Sequence, residues 1–312
     1  MVDLTAKRKS VPKSRGWHLS PRARDNIAGY LFIMPFLVHF VGMIALAMVS
    51  SLGISLLKTD LLTGYEFVGV ENYAKMLKDP LFWKALRVTA YYTFALVPLG
   101  TIFALSIALL LNQEVAALGF WRSVYYLPSV VAGVAVAILW QWMLNPRFGL
   151  LNQGLAFLGI KGPRWLYSES WAVPGFIIMG LWGAGGSMLL YLAGLQGIPT
   201  RLYEAAEIDG ANGWQKFWKI TIPMLTPTIY FNLLMNIIGS FQVFTQSYIM
   251  TGGGPNNASL TMVLYLYRKG FQHLRFGYAS ALAWALFFII LIFTMFLVKS
   301  SESWVYYEGA LK

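Results

Sequence analysis

The chain carries six apolar runs, 27–57, 85–111, 123–144, 171–195, 224–250 and 277–298, separated by polar segments. Each meets the ~20 residues that a helix needs to cross a bilayer. Hydrocarbon offers no water to the backbone, so a run of this kind must satisfy its own amides as a helix. At 57% hydrophobic and 12% charged residues, with a mean hydropathy of +0.58, the chain also has too little polar surface to clothe a soluble globule of 312 residues. The expectation is an all-α polytopic membrane protein with six transmembrane helices. The first run far exceeds the ~7 to 15 residues of a signal-peptide core and is read as a span.

Charge sets the topology. Residues 1–26 hold Lys7, Arg8, Lys9, Lys13, Arg15, Arg22 and Arg24 against Asp3 and Asp25, which marks a basic cytoplasmic tail. Six spans then place 299–312 inside as a second tail, and 58–84 outside. Over this topology thirteen Lys and Arg fall inside and eleven outside, so the N-terminal cluster decides the orientation. The net charge of +11 is scattered through loops and forms no basic stripe, which argues against a nucleic-acid partner. There is no cysteine, and His18, His39 and His273 are too dispersed to hold a metal.

The most ordered polar island of the second half is the loop 199–223. Thr200 is a plausible N-cap for a short helix that Asp209-Gly210 breaks. A second short helix, about 213–220, would bring Trp214, Phe217 and Trp218 to one face before Pro223 opens the next span. Two short helices hinged at a glycine suit docking into another protein's cleft; they equally suit a plain interfacial connection between spans.

Glu204-Ala205-Ala206, Asp209-Gly210-Ala211, Phe217, Ile220 and Pro223 together match E-A-A, D-G-A and F-x-x-I-x-x-P. This loop resembles the EAA loop of the membrane subunits of binding-protein-dependent ABC importers. The resemblance extends through Tyr30 to Pro35, Val68 to Tyr73, Tyr126-Leu127-Pro128, Leu192 to Gln196 and Phe241 to Pro255. In these segments the chain is similar to the carbohydrate-uptake group, specifically its maltose-transporter-F-like members. The resemblance implies a type I ABC importer transmembrane fold with both termini cytoplasmic and a core permease domain at 85–298. It implies ATPase coupling through Glu204, Ala205, Ala206, Asp209, Gly210, Ala211 and Phe217, with Glu204 in a salt bridge to the ATPase and Gly210 as hinge.

Inside the spans, Asn232, Asn236 and Ser240 recur at i, i+4 and i+8, followed by Gln242 and Gln246. Such groups are costly in lipid unless they meet partners. They can bond between helices, or line a pathway for a polyhydroxylated solute. Gly180, Gly183, Ala184, Gly185, Gly186 and Ser187 surround Trp182, making a slot for close helix packing or for a ligand. Trp182 itself suits either a sugar-stacking platform or core packing. Matching to the maltose relative places sugar contacts on Trp182, Gly183, Gly186, Asn236, Gly239, Ser240 and Val243. At Gly186 and Val243 that relative has larger or polar side chains, so its own contacts do not transfer intact.

The implied partners are a second homologous permease, two ATP-binding subunits, an extracytoplasmic solute-binding protein, a sugar and membrane lipid, in the cytoplasmic membrane of a bacterium or archaeon. The sequence contains no G-x-x-x-x-G-K-[ST] loop, so ATP and Mg belong to the partner ATPase and this chain is a transport subunit rather than an enzyme. Glycerol phosphate and other polar solutes use transporters of the same group. An anionic solute would call for a basic side chain mid-span; none is expected there, so a neutral oligosaccharide leads. Ion-coupled secondary transport would show intramembrane charge or inverted repeats, and neither is evident.

Overall fold

A computed structural model describes residues 20–60, 64–113 and 116–306. Lys7 to Arg15 of the basic tail and residues 307–312 lie outside the described residues. The chain divides into two compact units, Met1–Ser51 and Leu52–Lys312. In the first, helix α1 (Pro21–His39) is capped by Ser20, whose hydroxyl accepts from the Ala23 N–H at 3.2 Å, with Pro21 pre-setting the first turn. A π turn, Phe40–Ala45, joins it to α2 (Leu46–Ser55). No residue of α1 is buried.

The second unit opens with a two-stranded antiparallel hairpin, β1 (Leu57–Thr59) and β2 (Tyr65–Phe67), and the amphipathic helix α3 (Glu71–Lys78). Helix α4 (Pro80–Leu111) follows and starts five residues earlier than the apolar run suggests. The difference comes from its cap: Asp79 accepts from the Leu81 N–H at 2.9 Å and Pro80 takes the first helical position, where a missing N–H costs nothing. Helix α4 is the spine of the unit and packs against α8 (Ala172–Trp182), α9 (Gly185–Gln196), α12 (Ile222–Phe241) and α13 (Met262–Tyr267).

The third apolar run is not one helix. It forms α5 (Leu118–Val130) and α6 (Gly133–Met143), bent by 100° at Val131 and Ala132. Pro128 removes a ladder donor in the last turn of α5, and Gly133 has little helix propensity to hold the chain straight. The fourth run likewise breaks at Gly183 and Ala184, bending α8 from α9 by 44°. The loop between α6 and α8 contains the short helix α7 (Leu150–Phe157). The expected short helix 213–220 is instead continuous with the fifth span: α11 (Gly213–Lys216), a π turn at Phe217–Thr221 and α12 form one helix of 29 residues. The widened turn accommodates Pro223, whose ring would otherwise crowd the carbonyl four residues back. Helix α12 ends at Phe241 rather than near 250; the chain resumes in a π turn at Ser247–Thr251. No apolar run announces α13, which a π turn at Arg268–Gln272 extends before the last helix, α14 (Phe276–Trp304). Among the described residues four helices are long and apolar enough to cross a membrane, or six if each bent pair is one span.

Asp79 knots three elements. Besides capping α4, it accepts from the hydroxyl of Tyr265 on α13 and from that of Tyr278 on α14 at 2.8 Å. Burial pushes its carboxyl up, but these two hydroxyls, the Leu81 N–H and the nearby Lys269 charge together hold it below the ordinary carboxylate value. A carboxylate held down in the fold contributes stability that is fully present above its ordinary value near 3.8 and is lost as the pH falls through the lower folded value. Thermal unfolding of the detergent-solubilised protein should therefore show an acid-induced drop in Tm that is smaller in Asp79→Asn.

At some glycines the backbone of another element comes close. A Cβ on Gly185 would sit 2.3 Å from the Tyr125 carbonyl oxygen, and one on Gly277 would sit 1.8 Å from that of Leu57, whereas Gly186 has nothing within 4 Å. Backbone cannot yield as a flexible side chain does. Gly185→Ala should destabilise by about 1–3 kcal/mol, as other overpacked substitutions do, while Gly186→Ala leaves Tm unchanged in the same assay.

Candidate functional site

Two regions hold the sequence-derived candidates. The first is the loop built from α10 (Thr200–Ile208) and α11. Pro199, not Thr200, occupies the N-cap of α10, and no side chain caps it there. The helix end explains why small residues recur in the motif. Gly210 takes a left-handed φ of +76°, its N–H bonds to the Glu207 carbonyl at 3.0 Å, and the Ala211 N–H bonds back to the Ala206 carbonyl at 2.8 Å. This is the Schellman arrangement, with Ala206 and Ala211 at the two positions that meet across it. Asn212 then starts α11 through a reciprocal capping box with Gln215, both bonds being 2.9 Å.

Two side-chain ties brace the pair. Lys216 Nζ lies 2.7 Å from Glu207 Oε1, and the hydroxyls of Tyr203 and Thr221 are 2.9 Å apart. Among the residues the loop exposes are Glu204, Ala205, Glu207, Asp209, Ile208 at 88% and Trp214 at 70%. The Trp214, Phe217 and Trp218 rings touch one another with centroids 5.1 to 6.2 Å apart. The loop is therefore a preformed helical knob with an acidic side chain and large apolar side chains outward.

The second region is an open cavity of about 390 Å³ bordered by α4, α8, α9 and α12 and by the unwound segment after α12. That lies within the ~300–1,000 Å³ range of small-molecule sites. Gly183, Asn236, Gly239, Ser240 and Val243 line it, and Trp182 and Gly186 do not. Trp182 packs edge-on against Trp140, with centroids 6.0 Å apart. Asn236 donates to the Ser187 Oγ at 3.3 Å across the α9–α12 junction. Asn232 is spent within its own helix, donating to the Thr228 carbonyl at 3.0 Å. Gln242, Thr245 and Gln246 complete one wall, and no charged side chain is among the lining residues described.

The profile of the binding-protein-dependent transport system inner membrane component family matches residues 96–305, which take in the loop and every cavity-lining residue but Tyr92. The chain belongs to that family. As a member it is a multi-pass membrane component of a transport system, not an enzyme. It is 41% identical over 291 residues to the probable ABC transporter permease YesP of Bacillus subtilis, covering 92% of this chain and 94% of the relative. It is 35% identical over 278 residues to the trehalose/maltose transport permease MalF of Thermococcus litoralis, covering 88% and 94%. In fold it is similar to a chain of a bacterial alginate ABC transporter solved with an alginate-pentasaccharide-bound periplasmic protein, at a TM-score of 0.78 and 24% identity over 89% of this chain and 95% of that one.

Sequence reasoning passed over Tyr92, Gly100 and Met235, which also line the family member's cavity. Ser187 and Gln246 were visible as polar residues inside apolar runs; Tyr92 and Met235 carry no such signal. In the loop, Gly210→Ala should cost about 1–2 kcal/mol for the left-handed backbone, and Asn212→Ala about 0.5–2 kcal/mol for the lost cap. Amide hydrogen exchange should quicken by roughly 2–30-fold within 200–221 and stay unchanged in α4.

Proposed function

We infer that the chain is the permease subunit of an ATP-driven importer that carries a sugar, a neutral oligosaccharide in the leading reading, across the cytoplasmic membrane of a bacterium or archaeon. The observation that carries the substrate class is the uncharged cavity lined by amides and hydroxyls on either side of the Asn236–Ser187 contact. Neutral donors and acceptors match a polyhydroxylated solute and offer no counter-charge to an anion. Relatives named for multiple sugars, arabinooligosaccharides and lactose support the same class.

In this reading six spans, counting each bent pair as one, put both tails and the loop 199–223 on the cytoplasmic side. Two ATPase subunits, which bind the ATP and Mg, dock on the knob. Glu204 meets a basic residue of their cleft, and Ala205, Ala206, Asp209, Gly210, Ala211 and Phe217 shape the contact. A second homologous permease closes the pathway, and an extracytoplasmic binding protein delivers the sugar. Because α11 and α12 are one helix, displacing α11 moves Asn236 about 35 Å away at 1.5 Å per residue. That motion parts α12 from α9 at the cavity and provides alternating access.

The test is sugar uptake and ATP hydrolysis by the complete complex in proteoliposomes, offered maltose, trehalose, lactose, arabinotriose and glycerol 3-phosphate. Glu204→Ala should lower sugar-stimulated hydrolysis by tenfold or more, about 1.4 kcal/mol. Asn236→Ala should raise the apparent KM roughly 2–12-fold, the loss of one neutral hydrogen bond. Transport that ignores Glu204 and follows an ion gradient instead would sink the proposal; stimulation by glycerol 3-phosphate alone would replace the sugar.

A further inference from the structure

A row of aromatic rings leaves the cavity on one side. Phe244, a lining residue, stacks on Tyr248 at 5.1 Å and 13° and meets Tyr267 edge-on at 5.3 Å. Tyr248 and Tyr267 are 5.4 Å apart, Tyr267 stacks on Phe271 at 5.3 Å and 29°, and Phe271 meets Phe276 at 5.7 Å. Two i, i+4 pairs supply the first four rings: Phe244 and Tyr248 beside the π turn after α12, Tyr267 and Phe271 on α13 and its extension. Residues so spaced share one helix face.

Phe244 and Tyr267 rest against the core on one side, while Tyr248 is 40% exposed and Phe271 63%. Exposed aromatic surface that continues from a cavity calls for an occupant. Its chemistry is mixed: Tyr248 and Tyr267, whose rings lie 5.4 Å apart, each bring a phenol hydroxyl to the middle of the strip. A ligand with apolar ring faces and hydroxyl rims uses both the rings and the hydroxyls. Two neighbouring cations are engaged elsewhere. Arg268 donates to the Gly252 carbonyl and, at 3.4 Å, to Asn257 Oδ1, and Lys269 lies over the Tyr265 and Tyr278 rings.

We propose that Tyr248, Tyr267 and Phe271 form an entry track along which a saccharide slides to Phe244 and the cavity, its C–H faces on the rings and its hydroxyls exchanging bonds with the two tyrosines. The proposal rests on the sugar reading of the cavity. It is tested with the complete complex in proteoliposomes carrying Tyr267→Leu, Phe271→Leu or Phe271→Trp, which keep an apolar side chain in place. Uptake of radiolabelled maltose, trehalose, lactose and arabinotriose is measured together with co-purification of the second permease.

Each leucine variant should raise the apparent KM about 5–10-fold with kcat nearly unchanged, more for the trisaccharide than for the disaccharides, and Phe271→Trp should restore it. Wild-type kinetics in both leucine variants would overturn the track alone. Loss of the second permease with normal uptake per assembled complex would also overturn it and make the strip a subunit contact. A wild-type complex that moves none of the four sugars would overturn the sugar reading, and the track with it.

Discussion

Inside a membrane each backbone N–H and C=O must find a partner within the protein, and irregular backbone is tolerated only where it is buried or lines a cavity. That constraint accounts for where this fold bends. The α8–α9 break at Gly183 and Ala184 and the unwound stretch from Gln242 to Phe244 lie in two different helical runs, and both border the same cavity. The third break, between α5 and α6, comes after the place where Tyr125 of α5 meets Gly185 of α9, and no residue of α5 or α6 lines that cavity. The first two interruptions thus mark the site more sharply than any single side chain does.

Much of this was legible in the sequence, and what was not has a physical cause. Apolar run length fixes where helices exist, because it reflects the cost of burying amides in lipid. It says nothing of direction, so the 100° bend after Pro128 could not be read from composition. Loop 199–223 was legible as a helix break at Asp209-Gly210, since a left-handed glycine is a local requirement. Its continuity with α12 was not, because Pro223 reads as a helix start unless the preceding turn is known to be widened. The substrate candidates divide the same way. Asn236, Gly239, Ser240 and Val243 reach the cavity along with Gly183, yet Trp182 turns to Trp140 because a tertiary neighbour, not spacing, decides where an indole points.

The stripe of amides on α12 shows how one residue type serves two ends. Asn232, 2% exposed, bonds to the carbonyl four residues back, a local bond that any buried helix can make. Its polarity is consumed where it stands. Asn236, one turn on, faces the cavity and reaches across to Ser187 on another helix at 3.3 Å, beyond the usual length of such a bond. A long bond at a cavity wall is a weak one, and a ligand hydroxyl can replace either partner without leaving a buried group unpaired.

The same pair joins the site to the loop. Ser187 stands on α9, which runs to Gln196 and within a few residues of α10; Asn236 stands on the helix that begins at α11. Both walls of the cavity therefore descend into the two halves of the knob. The knob itself is stiff: a Schellman end, a capping box and the Lys216–Glu207 pair leave Gly210 as the place where φ differs from its helical neighbours. A stiff knob on a stiff helix passes a displacement on rather than absorbing it, since close-packed elements shift as units and do not deform continuously. The weak Asn236–Ser187 contact is a point at which such a shift costs little, and under the proposed sugar reading it lies at the binding site.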